Sequence, residues 1–329
     1  MGDTPFDLNF PFAYGGPCTQ ADFRTYPDDF IVDEILSEPP SGEGEHLCLQ
    51  LTKRGENTGW LAEQLAKAFG VRPVDIGYHG LKDRHACTTQ WFSVHLPKPD
   101  PEQAQILANL PERLEAQVVL REVRRHNKKL RRGGHLGNRF TITLRNLRSD
   151  DGVDARLKRI AAEGVPNYFG EQRFGNHGSN LMWADRWLSG GEAIRNRGKR
   201  IMAQSAARSW LFNQVLAARV RDDSWRHATF DESQPSGPLW GRGRPVATEP
   251  QREYEQVVIA PWSAWLDPLE HVGLNQERRA LVLQPQDCHW QLDAERLVIS
   301  FMLPPGGYAT AVLRELCTLN NLSMPEAEQ

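Results

Sequence analysis

The stretch that decides the fold is GYHGLKDRHACTTQWFSV, residues 77–94. Its centre, Lys82-Asp83-Arg84, lies between two short β-rich runs and is therefore predicted to be a loop held by two strands, where functional side chains tend to collect. The flanking cations favour the ionised form of Asp83, which makes it a candidate nucleophile or base. A single carboxylate disfavours an ordinary two-acid glycosidase. An Asp83 that only caps a turn or pairs with a surface arginine is an equal alternative, because ion-pair networks collect the same residue types.

Around this stretch, the first 150 residues are predicted to form short strands with few helices. Strands are predicted over 30–35, 47–52, 90–96, 117–123 and 140–144, and one helix begins at Asn57 or Thr58 and ends at Gly70. Further along the chain, helices are predicted over 153–163, 181–188 and 203–221, loops with small helices over 222–268, and a strand over 297–303 before a last helix. This pattern predicts an α+β chain, without repeated βα units.

Composition limits the possible classes of protein. The 329 residues, 40% hydrophobic and 25% charged, are typical of a soluble globular chain with two domains, or with one domain that carries an insertion. No window is apolar enough for a membrane span, and the first residues lack the features of a signal peptide. The five cysteines contain no CxxC pair, so neither a disulfide framework nor a zinc site is expected. We expect a reduced, cytoplasmic protein.

The charge is unevenly distributed. Residues 121–148 hold ten Lys or Arg and one acid, a net charge of +9, which leaves −12 for the rest of a chain with a total of −3. Such a run attracts a polyanion, although a merely solvated basic face is an alternative.

The run ends in RRGGHLGNRF, residues 131–140, where glycines allow close approach of the backbone to a phosphate. Asn138 has the chemistry to bind a base edge and Phe140 to stack on a base. From periodicity alone, Phe140 is better explained as a core residue. Likewise, the glycine- and aromatic-rich segment 164–175 is explained by packing at a domain junction, whereas the glycine turn at 306–310 either presents Tyr308 to a ligand or caps the last helix. No metal or cofactor motif accompanies these clusters, and we expect neither a metal nor a cofactor.

Several blocks of the sequence resemble the TruD family of tRNA pseudouridine synthases, in the family order and over nearly the whole chain. Besides GYHGLKDRHACTTQWFSV, they are PDDFIVDEIL, GEGEHLCLQL, GNRFTI, GVPNYFGEQRFG, SAARSWLFNQ and LPPGGYATAVLREL. The resemblance implies a catalytic domain of the pseudouridine-synthase fold, with a mixed or antiparallel sheet and helices, formed by residues 1–163 and 284–329. It also implies an inserted α/β family-specific domain at 164–283. The implied reaction converts a uridine of tRNA, at position 13, to pseudouridine. The implied partner is tRNA, and we expect no membrane, no nucleotide cofactor and a monomer.

The resemblance also assigns residues. Asp83 matches the catalytic aspartate, Phe140 the aromatic that stacks on the target base, and Asn138 a neighbouring polar contact. Phe30, Gly164 and Tyr308 match positions that line the substrate site. Arg24 stands where some family members have a lysine, a position for which the resemblance implies an ion pair with Asp83; the basic charge is kept, but the geometry of an arginine differs from that of a lysine. The basic residues expected to contact RNA phosphates are Arg24, Lys82, Lys128, Lys129, Arg131 and Arg132.

The implied chemistry agrees with these residue types. The uridine must be flipped out of folded RNA, and stacking on an aromatic offsets the cost. Asp83 then acts either as a nucleophile at the ribose C1′ or as a base at C2′, and the sequence does not distinguish these routes. Two other functions fit some of the residues: a non-catalytic tRNA-binding or tRNA-folding protein that uses the same basic face, and a nucleoside hydrolase that releases free uracil.

Overall fold

The computed structural model describes residues 6–98, 102–114, 117–230, 233–244, 246–293 and 295–323. The chain forms two compact units. The sheet unit comprises residues 18–154, 285–306 and 317–329, and the helical unit comprises residues 1–17, 155–284 and 307–316. Each unit is therefore assembled from separate segments of the chain. Residues 1–5 and 324–329, which the predicted domain bounds include, lie outside the described part.

Along the chain, successive helices and strands belong first to one unit and then to the other. The strands are β1 (Thr19–Phe23), β2 (Phe30–Leu36), β3 (His46–Arg54), β4 (Ile76–Tyr78), β5 (Cys87–His95), β6 (Val118–His126), β7 (His135–Arg145), β8 (Val165–Pro166), β9 (Ser236–Leu239), β10 (Glu277–Ala280), β11 (Val282–Leu283), β12 (Gln286–Asp293), β13 (Arg296–Leu303) and β14 (Cys317–Asn321). The α-helices are α1 (Thr58–Ala68), α2 (Gln103–Ala108), α3 (Leu110–Arg113), α4 (Val153–Glu163), α5 (Ser179–Leu188), α6 (Arg197–Arg221), α7 (Glu249–Ile259), α8 (Ser263–Glu270) and α9 (Ala309–Leu316).

A ten-stranded sheet forms the sheet unit, with the order β12-β13-β7-β2-β5-β3-β6. Outside this path, β1 pairs with β7 and β14, and β4 pairs with β5. The pairs β2–β5 and β1–β14 are parallel and the others are antiparallel. The predicted α+β class with a mixed sheet is confirmed.

The predicted alternation of side chains places the core against this sheet. In β7, Ile142 and Leu144 are fully buried, as the period of two requires. Leu61 and Leu65 of α1 pack in one apolar cluster with Leu49 of β3. The helix begins at Thr58 and ends just before Phe69 and Gly70, as predicted; Gly70 adopts a φ of 63°, a conformation that favours glycine.

In the helical unit, the 25-residue α6 is the longest described helix and contacts α5, α7 and β9. Two short two-stranded sheets, β8–β11 and β9–β10, complete the strands of this unit. None of the helices in the described part of the chain combines the length and apolar character needed to cross a bilayer.

Several elements were not predicted, because their sequences lack apolar periodicity. Helix α7 buries Gln251 and Glu255 beside Ile259, and α8 contains Pro268, so residues 222–268 are more helical than predicted. Strand β12 is mostly exposed, and the polar β14 is held by parallel pairing with β1. Helix α6 begins six residues earlier than predicted, because its first turn is charged.

Candidate active site

The loop between β4 and β5, residues 79–86, carries Asp83. These two strands are antiparallel neighbours, so both ends of the loop are fixed by the sheet. Thr58 at the start of α1 accepts a hydrogen bond from the backbone amide of Lys82 at 3.0 Å and donates one to Gln90 Oε1 at 2.8 Å. Gln90 Nε2 donates in turn to the carbonyl of Gly80 at 3.3 Å. The loop is therefore held from α1 and from β5, and its prediction is confirmed.

The carboxylate of Asp83 is held at both oxygens. Oδ1 accepts a hydrogen bond from the backbone amide of His85 at 3.0 Å, and Oδ2 forms an ion pair with Nη2 of Arg24. The Asp83 side chain is 30% exposed, whereas that of Arg24 is only 7% exposed. A partly accessible acid with a buried counter-ion keeps a fixed orientation and one side open to a reactant.

Arg24 itself is fixed by its surroundings. Its guanidinium lies over the rings of Phe23 and Phe30, 4.8 Å and 4.5 Å from their centroids. Its φ of 60° is uncommon outside glycine and is a conformation that proteins retain where the surroundings determine it. The charge of Arg24 is thus directed at Asp83, and its expected contact with an RNA phosphate stays a prediction.

Lys53, which the sequence analysis did not identify, lies beneath the loop. It is fully buried in β3, and its ammonium donates to the carbonyls of Glu56 at 2.6 Å and Asp83 at 3.1 Å. Burial lowers the pKa of Lys53 to about 8, against the opposing charges of Asp83 and Glu56. The sequence contains one indication that Lys53 is buried: it continues the alternation of Leu47, Leu49 and Leu51, whose side chains lie on the same side of the strand.

Lys82, the residue directly before Asp83, forms an ion pair with a buried acid. Its ammonium lies 3.0 Å from Glu34 Oε2, and the two side chains are 5% and 0% exposed. Glu34 Oε1 also accepts a hydrogen bond from the Trp91 amide at 3.2 Å and contacts His79 Nδ1 at 3.1 Å. Burial opposes the ionisation of Glu34, but the His79 hydrogen bond and the Lys82 charge outweigh it, so its pKa lies below the ordinary value. The ammonium of Lys82 is thus buried against Glu34, and its expected contact with RNA phosphate stays a prediction.

The same cluster extends to Asn138. The rings of His79 and His135 stack with centroids 5.7 Å apart, and His135 Nε2 lies 3.3 Å from Asn138 Nδ2. Burial lowers the pKa of His135. Glu34, His79 and His135 bring ligand-capable atoms within 4.8 Å of one another and could hold a metal ion. The Lys82 ammonium, however, already provides a positive charge for Glu34 in that place.

Phe30 and Phe140 lie on the adjacent strands β2 and β7, with ring centroids 6.0 Å apart. Phe140 also contacts Phe301, at 5.7 Å, and is 7% exposed. Asp83, Arg24, Phe30 and Phe140 therefore form one continuous series of contacts. The burial of Phe140 agrees with the core interpretation of its periodicity, and its contact with Phe30 places it in the same cluster as Asp83.

The two remaining expected substrate residues belong to the helical unit. Gly164 has a φ of +76°, and a Cβ there would lie 2.8 Å from Val282 Cγ1, so glycine is required by the local packing. Its carbonyl accepts a hydrogen bond from the Tyr14 hydroxyl at 2.5 Å. The Tyr308 hydroxyl accepts one from Arg173 Nη2 at 2.5 Å, and its ring lies 6.3 Å from that of Phe169.

The cations of the basic run fall into two groups: some donate hydrogen bonds to oxygens of the protein, and others are exposed. Arg125 donates to the Leu96 carbonyl and to Gln103, and Lys129 to the Val74 carbonyl. Lys128, Arg131 and Arg132 are exposed, and no ion pair involves them in the part of the chain that the structure describes. These three residues are termed the β6–β7 basic surface.

The glycines beside this surface do not all face solvent. Gly137 lies within β7, where a Cβ would come within 2.4 Å of the Leu303 carbonyl oxygen. The glycine at this position is therefore explained by the close approach of β13.

Comparison with known proteins identifies the family. The chain matches the family of tRNA pseudouridine synthase D (TruD) over residues 10–192 and 222–316. It belongs to the TruD family. It is 51% identical to a tRNA pseudouridine synthase D of Cellvibrio japonicus, over 96% of this chain and 95% of the relative. It is 41% identical to one of Aeromonas hydrophila, over 93% of each.

A solved structure shows the TruD fold. The crystal structure of a putative tRNA pseudouridine synthase D from Methanosarcina mazei superposes on this chain with a TM-score of 0.68. The match covers 93% of this chain and 95% of the solved chain, at 21% sequence identity. The expected family and the pseudouridine-synthase fold are both confirmed.

Proposed function

We propose that this chain converts a uridine of tRNA to pseudouridine with Asp83 as its catalytic residue. The observation that carries the proposal is the carboxylate of Asp83, held at Oδ1 by the His85 amide and at Oδ2 by the buried Arg24, with 30% of its side chain exposed. Preorganised charge of this kind needs no rearrangement when the reaction begins. Membership of the TruD family supports a uridine of tRNA as substrate.

The ionised carboxylate fits either route of attack. As a nucleophile it bonds to C1′ of the ribose while the glycosidic bond breaks and the pair of electrons leaves with uracil. As a base it takes the proton of C2′ and releases the same uracil. In both routes uracil turns, bonds to C1′ through its C5, loses the C5 proton and is protonated at N1. On the first route the bond between C1′ and the carboxylate oxygen breaks as C5 bonds, and on the second Asp83 returns the proton to C2′. Because substrate and product are isomers, we propose that the reaction uses no redox cofactor, nucleotide or metal.

The surrounding residues receive proposed roles from their positions. The ring of Phe30 lies beside the Arg24 guanidinium and contacts Phe140, so these two aromatic residues are the proposed stacking partners, and Asn138 supplies a polar contact to the flipped uridine. Gly164 and Tyr308 are proposed substrate contacts of the helical unit. Arg24 and Lys53 hold the carboxylate and the backbone of Asp83.

Phosphate binding is assigned to the β6–β7 basic surface, because Lys128, Arg131 and Arg132 are exposed cations. Lys129 shares its ammonium with the Val74 carbonyl and contributes less. We propose residues 1–163 and 284–329 as the catalytic domain and residues 164–283 as the insertion. The proposed target is position 13 of tRNA, and the proposed form of the protein is a cytoplasmic monomer.

The experiment is incubation of the purified protein with an unmodified tRNA transcript, without added cofactor, followed by mapping of pseudouridine along the strand. Pseudouridine at position 13, and its absence from a transcript with cytidine there, would support the proposal in full. Pseudouridine elsewhere would refute the position alone. Bound but unmodified tRNA would favour the binding-protein alternative, and release of free uracil would favour the hydrolase.

A further inference from the structure

A second group of exposed cations lies in the helical unit, at the start of α6. Arg195, Arg197, Lys199 and Arg200 place four positive charges in six residues, and all four are exposed. No carboxylate pairs with any of them among the residues that the structure describes. The four residues are termed the α6 basic surface. They lie outside both family-matched ranges, 10–192 and 222–316.

The position of these charges is unfavourable for the helix itself. The amino end of an α-helix carries a partial positive charge, so cations there are disfavoured and acids are preferred. The first turn of α6 contains no acid. Its exposed amides are capped instead by Asn196, whose Oδ1 accepts a hydrogen bond from the Lys199 amide at 3.0 Å. Four cations at this end therefore need an explanation other than the stability of α6.

The buried face of α6 does not include these four residues either. The side chains that α6 buries begin at Ala203, and the preceding Ile201 and Met202 are 54% and 46% exposed. The ammonium of Lys199 lies 4.9 Å from the ring centroid of Trp183, which is half-buried on α5. The surface thus combines exposed cations with exposed apolar side chains and an aromatic ring, a combination typical of RNA-binding surfaces.

We propose that the α6 basic surface binds the phosphate backbone of the RNA substrate, away from the uridine that reacts. This inference rests on the proposed function, because the function supplies the RNA. The phosphates of RNA provide the negative charge that the first turn of α6 lacks, and Arg197 and Arg200, three residues apart, lie on one face of the helix. The helical unit is thereby given a direct part in holding the substrate.

The test compares two variants with the same change in charge. In the surface variant, Arg195, Arg197, Lys199 and Arg200 are all replaced by Gln. In the matched control, four dispersed exposed cations, Lys67, Arg113, Arg242 and Arg296, are replaced by Gln. Both changes take the formal net charge from −3 to −7. Binding of an unmodified tRNA transcript is measured from about 50 to 250 mM salt, a range over which phosphate contacts weaken strongly.

We expect the surface variant to raise the Kd at least about tenfold and to lower the slope of log Kd against log salt by about 3, since each lost phosphate contact removes about 0.7–0.9. The control should change the Kd less than about twofold, because dispersed charges make no shared contact. Thermal unfolding checks that both variants fold. The surface variant should be at least as stable as the unmutated chain, since it loses cations from the amino end of α6.

Equal Kd values and equal salt slopes for the two variants would overturn the inference. Pseudouridine formation by the unmutated protein is measured on the same transcript, so the two proposals fail separately. Weakened binding without any pseudouridine would uphold the RNA surface and refute the catalytic proposal. Pseudouridine formation with unchanged binding would do the reverse.

Discussion

The charges around Asp83 and the charges of the two basic surfaces are of the same chemical kind but differ in burial. Arg24, Lys53 and Lys82 are buried, and each bonds to a defined oxygen. Lys128, Arg131 and Arg132, like the four cations at the start of α6, are exposed. In low dielectric a fixed charge acts strongly on its neighbour, whereas an exposed charge acts weakly on any one group and is screened by salt. The comparison teaches that the first set should govern turnover and stability, and the second set binding.

Glu34→Gln should have the largest effect on stability. The substitution leaves the buried Lys82 ammonium without its anion, and loss of one partner of a buried pair costs about 3–5 kcal/mol. Urea unfolding followed by tryptophan fluorescence measures the loss. Glu45→Gln, in an exposed pair with His95, is the matched control and should change stability by less than about 0.5 kcal/mol. The double variant Glu34→Leu with Lys82→Met should recover only part of the loss, because the buried Trp91 amide and His79 still lose their partner. Equal stability of Glu34→Gln and the unmutated protein would break the comparison.

Arg24→Met should lower kcat by about 10²–10³-fold, the usual cost of removing a preorganised electrostatic group, with the Kd for tRNA nearly unchanged. Arg24→Lys should retain more activity, at a loss of about tenfold, because an ammonium keeps the charge but not the planar geometry. The control is Arg54→Met, which breaks the exposed pair with Asp28. A raised Kd with normal kcat would instead return Arg24 to the role of a phosphate contact.

The buried ammonium of Lys53 should make the stability of the protein depend on pH. Its folded pKa of about 8 lies below the ordinary value of 10.5, so between these two pH values the unfolded chain binds the extra proton. Stability therefore rises with pH across this window. Relative to Lys53→Met, the unmutated protein should gain up to about 3 kcal/mol of unfolding free energy from pH 7 to 10. Denaturant unfolding of both proteins at the two pH values measures the difference, and a constant difference would show that the ammonium is not desolvated.

The smallest effect is expected at the β6–β7 basic surface. Replacement of Lys128, Arg131 and Arg132 by Gln should raise the Kd for tRNA about tenfold and lower the salt slope by about 2–3, with kcat at saturating tRNA unchanged. Filter binding across a salt series, together with initial rates, separates these quantities. Lys67, Arg113 and Arg296, changed together, provide the matched control. A reduced kcat would contradict the division between buried and exposed charges.

Periodicity predicted the sheet unit well, because its strands alternate apolar and polar residues in the phase that burial requires. Strand β7 and helix α1 are examples, with Ile142, Leu144, Leu61 and Leu65 all buried as expected. The same reasoning failed for α7 and β14, whose polar sequences are held by tertiary contacts and by pairing with a distant strand. Such pairing leaves no local signal.

The candidate site was predictable only in part, for the same reason. Asp83 stood out because cations flank it in the sequence. Its actual partners are separated from it along the chain: Arg24 lies 59 residues away and Lys53 lies 30 residues away. Charge counting also did not reveal the partner of Lys82, since the sequence gives the sign of a side chain but not the buried Glu34 that it meets.

The most direct test of the central claim is single-turnover pseudouridine formation by Asp83→Asn and by the unmutated protein, at saturating unmodified tRNA, with binding measured in the same samples. We expect the unmutated protein to form pseudouridine. Asp83→Asn, which keeps the shape of the side chain but not its charge, should be slower by at least about 10³-fold with a Kd within about threefold. Undiminished turnover by Asp83→Asn would contradict the assignment of Asp83 as the catalytic residue.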